Sequence, residues 1–357
     1  MPLTPQHIGL SLGRIEHWHD GLGEFSRQLG LALAARAPQL ADEQGWRLHF
    51  HLPRRWHGVF GGAVGYLATH TTQRFVHLAP TRFALWHLLH QHNRLRAPVF
   101  TARRIETVHD LNFLHAKSAA KIARYRRTLA ARLAGRDAVV AITHHVAADI
   151  VRELPALATP VHVIHNGATD LSASPQAAVD GVGDAPFLLH VSRMAPSKNI
   201  AALLDLAAAW PEQRLVLAGA TSPYTEVVQR EVAARGLANV TVRLDIAEAQ
   251  KAWLYAHCLA FVFPSLAEGF GLPPIEAMHF GVPVFLSRLT SLPEVGGDAA
   301  WYFDSFEPRA MRATIEAGLA ALDPAAGRAA SIARARGFSW TRCAEAHVAL
   351  YAQVLAT

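Results

Sequence analysis

Residues 264–285 read PSLAEGFGLPPIEAMHFGVPVF. Two carboxylates, Glu268 and Glu276, flank a Gly-Phe-Gly turn and a pair of prolines. The flanks, LAFVF and PVFLS, read as buried strands, so the order is strand, tight turn, helix start, strand. A helix start turns unpaired backbone N–H groups toward whatever lies in front of it, which suits an anion. Carboxylates beside such a site cannot serve the anion; they suit the hydroxyls of a sugar or ribose. Pro at the first helical positions and an acid in the first turn are ordinary ways to begin a helix. Those rules account for Pro273, Pro274 and Glu276 without any ligand. They do not account for Glu268, set before two glycines at the C-terminal end of a strand, where open parallel sheets bind ligands.

Three further segments could carry chemistry. VSRMAPSKNI places Arg193 and Lys198 on the loop after a strand. A planar guanidinium fork and a mobile ammonium suit a diphosphate. GRIEHWHDGLGEFSRQL opens a helix at Gly21 and Gly23, small residues that let backbone approach a ligand closely. Ser26 stands where a dinucleotide fingerprint needs its third glycine, and no acid ends the next strand. Both points disfavour a nicotinamide-dependent dehydrogenase. VHDLNFLH ends a strand on His109 and Asp110; a histidine there is as often a hydrogen-bonded core residue as a working group. The 21 histidines are scattered. With no HExxH and no paired Cys/His spacing, no metal or other cofactor is expected. Cys258 and Cys343 read as reduced thiols with neither catalysis nor a disulfide implied.

These segments need elements to hold them. Apolar strand-like runs alternate with Ala/Leu-rich helical stretches throughout, which predicts parallel sheets with crossover helices. Strands are expected at 7–13, 47–52, 74–78, 105–109, 137–143 and 161–165. After a break at 168–186 with linker composition, they resume at 187–192, 214–219, 240–244, 259–263, 283–287 and 299–303. The chain of 357 residues exceeds one ordinary core. The expected fold class is α/β: two doubly wound, Rossmann-like parallel-sheet domains, at 1–170 and 187–337. A linker at 171–186 joins them, and an amphipathic terminal helix occupies 338–357.

Hydrophobic content of 51% and charged content of 17% exclude general disorder. No apolar run reaches the ~18 residues a bilayer span needs. The opening MPLTPQHIGLSLG lacks the basic start and long apolar region of a signal peptide. A cytoplasmic location is therefore expected. Charge is uneven: residues 1–170 hold 20 Lys/Arg against 11 Asp/Glu, the remainder 14 against 17. Such a basic half suits an anionic partner. Its densest run is Lys117, Lys121, Arg124, Arg126, Arg127, Arg132 and Arg136, of which Lys117, Lys121, Arg124 and Arg127 share a helical face. A solvated face and a membrane-docking one fit that run equally. Nucleic acid is not an expected partner, because no binding module is visible and aromatics do not interleave the run.

From Glu268 to Val284 the chain resembles the signature of the family 4 retaining glycosyltransferases, which have the GT-B fold. Their pattern is Glu, seven residues and Glu in an EGFGLP-x-x-EAM-x-x-G-x-PV context, and other landmarks follow in order along almost the whole chain. The resemblance implies two domains facing a central cleft, with the last helix crossing back to the N-terminal domain. It implies that backbone N–H groups of Phe270, Gly271 and Leu272 hold a donor diphosphate with Arg193 and Lys198, approached by the Gly21/Gly23 loop. Glu276 would accept hydrogen bonds from ribose and Glu268 from the transferred sugar. His109 would sit beside that sugar, with Asp110 orienting the ring or reaching the acceptor. Asn112 and His115 become acceptor contacts, and HNGATD (165–170) and PSL (264–266) structural landmarks.

The nucleotide base is expected near 219–221 and 244–246, although many relatives have glycine where this chain has Asp245. The implied activity is metal-independent, retaining transfer from a nucleotide sugar to a glycan or lipid-linked acceptor in bacterial surface-polysaccharide or lipopolysaccharide assembly. GDP-mannose is the first candidate donor and a UDP-sugar the next. An anionic membrane surface at the inner face of the inner membrane is the expected docking partner of the basic half. A GT-B nucleotide-sugar epimerase and a non-catalytic GT-B scaffold are the alternatives.

Overall fold

The computed structural model describes the whole chain except residues 1–3, 14, 17, 19, 20 and 117 and the side chains of residues 115 and 116. The chain divides into two compact units, one formed by 1–167 with 339–357 and the other by 168–338. Each has its own parallel sheet.

In chain order the first unit contains β1 (Gln6–Ser11), α1 (Gly21–Gln44), β2 (Trp46–Leu52), β3 (Gly65–Ala68), β4 (Phe83–Leu88) and β5 (Thr101–Val108). α2 (Phe113–Ala116), α3 (Ala119–Leu133), β6 (Ala138–Ala141), α4 (His144–Glu153) and β7 (Val161–Val163) follow. The strand order is β3-β2-β1-β4-β5-β6-β7. The second unit contains β8 (Phe187–Val191), α5 (Ile200–Ala209), β9 (Arg214–Gly219), α6 (Thr225–Ala234), β10 (Val240–Leu244), α7 (Glu248–His257) and β11 (Ala260–Phe263). It continues through α8 (Leu272–His279), β12 (Val284–Ser287), α9 (Leu292–Gly296), β13 (Trp301–Phe303), α10 (Pro308–Ala321) and α11 (Pro324–Arg336). Its order is β10-β9-β8-β11-β12-β13. α12 (Trp340–Ala356) closes the chain and seats in the first unit, where Cys343, Ala344, Leu350, Tyr351 and Val354 join the core beside β1 and β2.

Strands inside a parallel sheet that helices cover on both faces read as unbroken apolar runs. AVVA of β6, AFVF of β11 and VFLS of β12 are buried at every position. Each sheet reverses its order once, between β1 and β4 in the first and between β8 and β11 in the second. Loops leaving the C-terminal ends of the strands at such a reversal diverge and leave a crevice, the usual ligand site of open α/β sheets.

One expectation fails in the first unit. RFVHL (74–78) is not a strand: a short 3-10 turn at Thr71–Arg74 leads into irregular chain, and Phe75, Val76 and Leu78 are exposed. The strands at that place are β3 and β4, whose GYLA and FALWHL went unread. The apolar run was a true signal of something hydrophobic, but a strand in this sheet would bury those side chains.

The basic run also divides. Arg132 and Arg136 clamp the fully buried Glu106 at 2.5 and 2.9 Å, and Arg126 pairs with Glu153. Lys121, Arg124 and Arg127 remain on the exposed face of α3, while Lys117 lies outside the described residues. Residues 168–186 run along the second unit: Leu171, Val179 and Val182 are buried, and Ala177 N–H donates to Ala249 O at 3.0 Å.

Candidate functional site

The loops after β8 and β11 leave adjacent strands at the reversal of the second sheet. They are tied together where Leu266 N–H donates to Ser197 O at 2.8 Å. Lys198 Nζ then meets Glu268 Oε1 at 2.5 Å, both side chains mostly buried, with the ammonium 5.5 Å from the Phe263 ring centre. Two residues expected to act on one ligand, 70 positions apart, thus meet directly.

The Glu268 loop is held from behind by the turn after β12. Glu268 N–H donates to Thr290 Oγ1 at 3.0 Å, and Ser291 Oγ contacts the carbonyls of Glu268 and Phe270 at 3.1 and 2.8 Å. Gly271 caps α8 at φ 110°, and a β-carbon there would lie 2.9 Å from Leu292 Cδ2. The backbone angle therefore calls for glycine, and a β-carbon would in addition press on the Leu292 side chain. Pro273 and Pro274 follow and have no N–H. The amides offered at this helix start are consequently those of Gly271 and Leu272, with Phe270 just before them.

Glu276 lies one turn into α8. Its two oxygens accept from Lys251 Nζ at 3.0 Å and Tyr255 OH at 2.8 Å. Burial, reinforced by the Glu276 charge, holds the Tyr255 phenol well above its ordinary pKa, so it remains a donor. A carboxylate has about four acceptor positions. Its orientation is set by α7, and capacity remains for a pair of hydroxyls. Arg193, by contrast, is exposed and joins no ion pair among the described residues. The structure does not bring it into the Lys198–Glu268 pair.

The region expected to meet a base is also organised. Gly219 ends β9 at φ 146°, where a β-carbon would fall 1.9 Å from Ser192 O. Asp245 takes the left-handed conformation at φ 49°, and its carboxylate accepts from Thr221 N–H at 2.9 Å and Thr221 Oγ1 at 2.6 Å. Those hydrogen bonds lower its pKa. The aspartate therefore keeps a backbone angle that glycine adopts freely and adds a clamp between the ends of β9 and β10.

In the first unit, Gly21 and Gly23 lie in the first turn of α1, downstream of β1 at that sheet's reversal. His109 follows β5. Its N–H donates to Gln91 Oε1 at 3.0 Å, its Nε2 lies 2.8 Å from Leu89 O, and its ring meets Phe25 edge-on at 4.5 Å. A carbonyl only accepts, so Nε2 carries the hydrogen and Nδ1 is the ring's acceptor. Burial lowers the imidazole pKa to about 4, which keeps the ring neutral. Asp110 Oδ1 accepts from Asn112 N–H at 2.9 Å, a local turn bond rather than a bond to the His109 ring. The His115 side chain lies outside the described residues.

Lys251, Tyr255, Thr290 and Ser291 were not singled out from the sequence. Lys251 and Tyr255 share a face of α7 at i, i+4, which was a readable signal. Nothing in the order of residues says that this face meets Glu276.

Residues 177–321 match the family model described as "Glycosyl transferases group 1". The chain is 36% identical over 168 residues to O-antigen chain mannosyltransferase B of Escherichia coli, covering 44% of this chain and 43% of that protein. It is 35% identical over 175 residues to the serotype-specific mannosyltransferase WbdA of Escherichia coli, covering 46% of this chain and 21% of that protein. The chain thus spans less than half the length of these curated relatives. Among solved structures it is similar to a sucrose-phosphate synthase from Thermosynechococcus elongatus, with TM-score 0.74 and 22% identity over 98% of this chain and 99% of that one. That likeness is one of fold, and it agrees with two all-parallel sheets that each reverse order once. The chain has the GT-B fold, and its residues 177–321 are similar to the group 1 glycosyltransferases.

Proposed function

We propose that this protein is a retaining glycosyltransferase that moves a hexose from a nucleotide-diphosphate sugar to a glycan or lipid-linked acceptor in bacterial surface-polysaccharide assembly. The observation that carries the reading is the Lys198–Glu268 pair, set at the reversal of the second sheet beside a glycine-capped helix start. The ammonium and the amides of Phe270, Gly271 and Leu272 face the diphosphate, and exposed Arg193 swings onto it. Glu268 takes a hydroxyl of the sugar and Glu276 the ribose diol. In the first unit, Gly21 and Gly23 at the start of α1 are the candidate diphosphate contacts. Neutral His109 accepts a sugar hydroxyl through Nδ1, and Asp110 serves the acceptor.

In the reaction the acceptor oxygen bonds to the anomeric carbon as the bond from that carbon to the β-phosphate oxygen breaks. The acceptor proton passes to the departing phosphate on the same face. The transition state is oxocarbenium-like, and the protein contributes positioning and charge stabilisation. Lys198, Arg193 and the helix start neutralise the leaving diphosphate, so this reading calls for no metal ion. Two mannosyltransferases among the relatives make GDP-mannose the first donor to try, and UDP-sugars the next.

No helix among the described residues is long and apolar enough to cross a membrane. A lipid-linked acceptor would be met at an anionic membrane surface by the basic first unit, from the cytoplasmic side. A thermal-shift screen of GDP, UDP, ADP and their sugars tests the reading, because a ligand of the native state raises its melting temperature. One nucleotide should raise it in the parent and fail to do so in Lys198→Ala. A chain that responds to none of them has no such donor site.

A further inference from the structure

Residues 44–105 hold nine arginines, no lysine and no carboxylate. Within this reach the connections from β3 to β4 and from β4 to β5 cross the first unit without an α-helix. They run side by side: Arg96 N–H donates to Gln73 O, and Val99 N–H to His77 O, both at 2.9 Å. Because no helix covers them, large apolar side chains remain outside. Phe75 is 69% exposed, Leu78 74% and Phe100 61%, with Val76 and Val99 between them also exposed. So contiguous an apolar patch on a folded unit marks a contact surface.

Arginines are set into this patch. The Arg74 guanidinium lies 5.7 Å from the Phe75 ring centre and that of Arg82 lies 5.5 Å from Phe100. Arg94 and Arg96 are exposed on the same connections. An open cavity of about 480 Å³ adjoins the patch, lined by Arg82, Val99 and Phe100 together with the first residues of β1, β4 and β5. The cavity therefore lies at the N-terminal ends of the strands, the edge opposite Gly21, Gly23 and His109.

We propose that this face docks on an anionic phospholipid surface, with Phe75, Leu78 and Phe100 at the acyl boundary and the arginines on lipid phosphates. Aromatic and aliphatic side chains interleaved with arginine suit that boundary, since the apolar parts enter it while guanidinium groups stay at the headgroups. A second copy of this chain fits poorly, because a twofold contact through the patch would set arginine against arginine with no carboxylate to separate them. Nucleic acid offers phosphates but nothing to receive Val76, Leu78 and Val99. The assignment goes beyond the proposed function, whose candidate acceptor residues lie at the opposite edge of the sheet, and is independent of its donor chemistry.

The test is flotation of the full chain, without nucleotide, on vesicles of equimolar phosphatidylglycerol and phosphatidylcholine, against phosphatidylcholine alone. The parent should float with the anionic vesicles and be released by salt. The triple change Phe75→Ser, Leu78→Ser, Phe100→Ser and the double change Arg74→Ser, Arg82→Ser should each weaken binding roughly tenfold or more, with melting temperatures preserved. The proposal is overturned if the parent does not float or if both variants float as it does. It is also overturned if Lys121→Ser, Arg124→Ser, Arg127→Ser abolishes binding while the patch variants retain it. A concentration-dependent dimer in light scattering that the triple change makes monomeric assigns the face to a second copy and ends the proposal.

Discussion

Lys198 Nζ and Glu268 Oε1 lie 2.5 Å apart on loops that leave neighbouring parallel strands. In the proposed reaction these groups serve different parts of one donor, the ammonium its phosphates and the carboxylate its sugar. Without donor, each neutralises the other, so neither charge is buried alone. The site is held ready by an interaction that the substrate must replace.

In the proposed reaction, removing the Lys198 ammonium takes one of two positive side chains from the leaving diphosphate. Lys198→Ala is expected to lower turnover by roughly two orders of magnitude or more while circular dichroism stays unchanged. A rate near that of the parent would refute the role.

Glu268→Gln separates binding from chemistry. It frees Lys198 for phosphate, so calorimetry should find nucleoside diphosphate bound at least as tightly as by the parent. Turnover should fall by roughly a hundredfold, because the sugar loses a charged acceptor. Parallel losses of affinity and turnover would instead mean that the pair is structural.

Tyr255→Phe should leave one oxygen of Glu276 without its phenol donor. A buried acceptor left unpaired costs about 1–3 kcal/mol. A lower melting temperature is expected, together with a raised KM for the donor, since the carboxylate is no longer held in place. An unchanged KM would remove Glu276 from the ribose site.

Gly271→Ala imposes a side chain at φ 110° and drives it toward Leu292. Left-handed or otherwise sparse backbone conformations cost non-glycine residues about 1–3 kcal/mol. The variant should melt lower and bind nucleotide more weakly, because the amides of α8 shift. Melting with and without nucleotide checks both effects.

Stability should depend on pH through buried imidazoles. Burial lowers His51 and His90 to about 3 and His109 and His347 to about 4, against 6.5 in the unfolded chain. Between those limits the unfolded chain binds more protons than the folded one, so stability rises with pH through that window. The melting temperature should accordingly be highest above pH 6.5 and fall steadily as pH drops toward 4. A flat profile over that range would show that these rings are not buried in solution.

Much of this was legible in the order of residues. β8, β11 and β12 of the second unit are continuous buried runs, and their positions announce themselves; so do the glycine turn, the proline pair and both carboxylates between β11 and β12. The first unit was harder, because length and hydrophobicity alone do not separate FALWHL, which is β4, from RFVHL, which is exposed connection. Only the sheet decides which run finds neighbours on both sides. Tertiary structure also decided the partners of the candidate site. Lys198 meets Glu268 across 70 positions and Tyr255 meets Glu276 across 21, because parallel crossovers bring their elements together. Side-chain types were local and therefore readable; their pairings depend on contacts between distant segments, which a linear pattern does not contain.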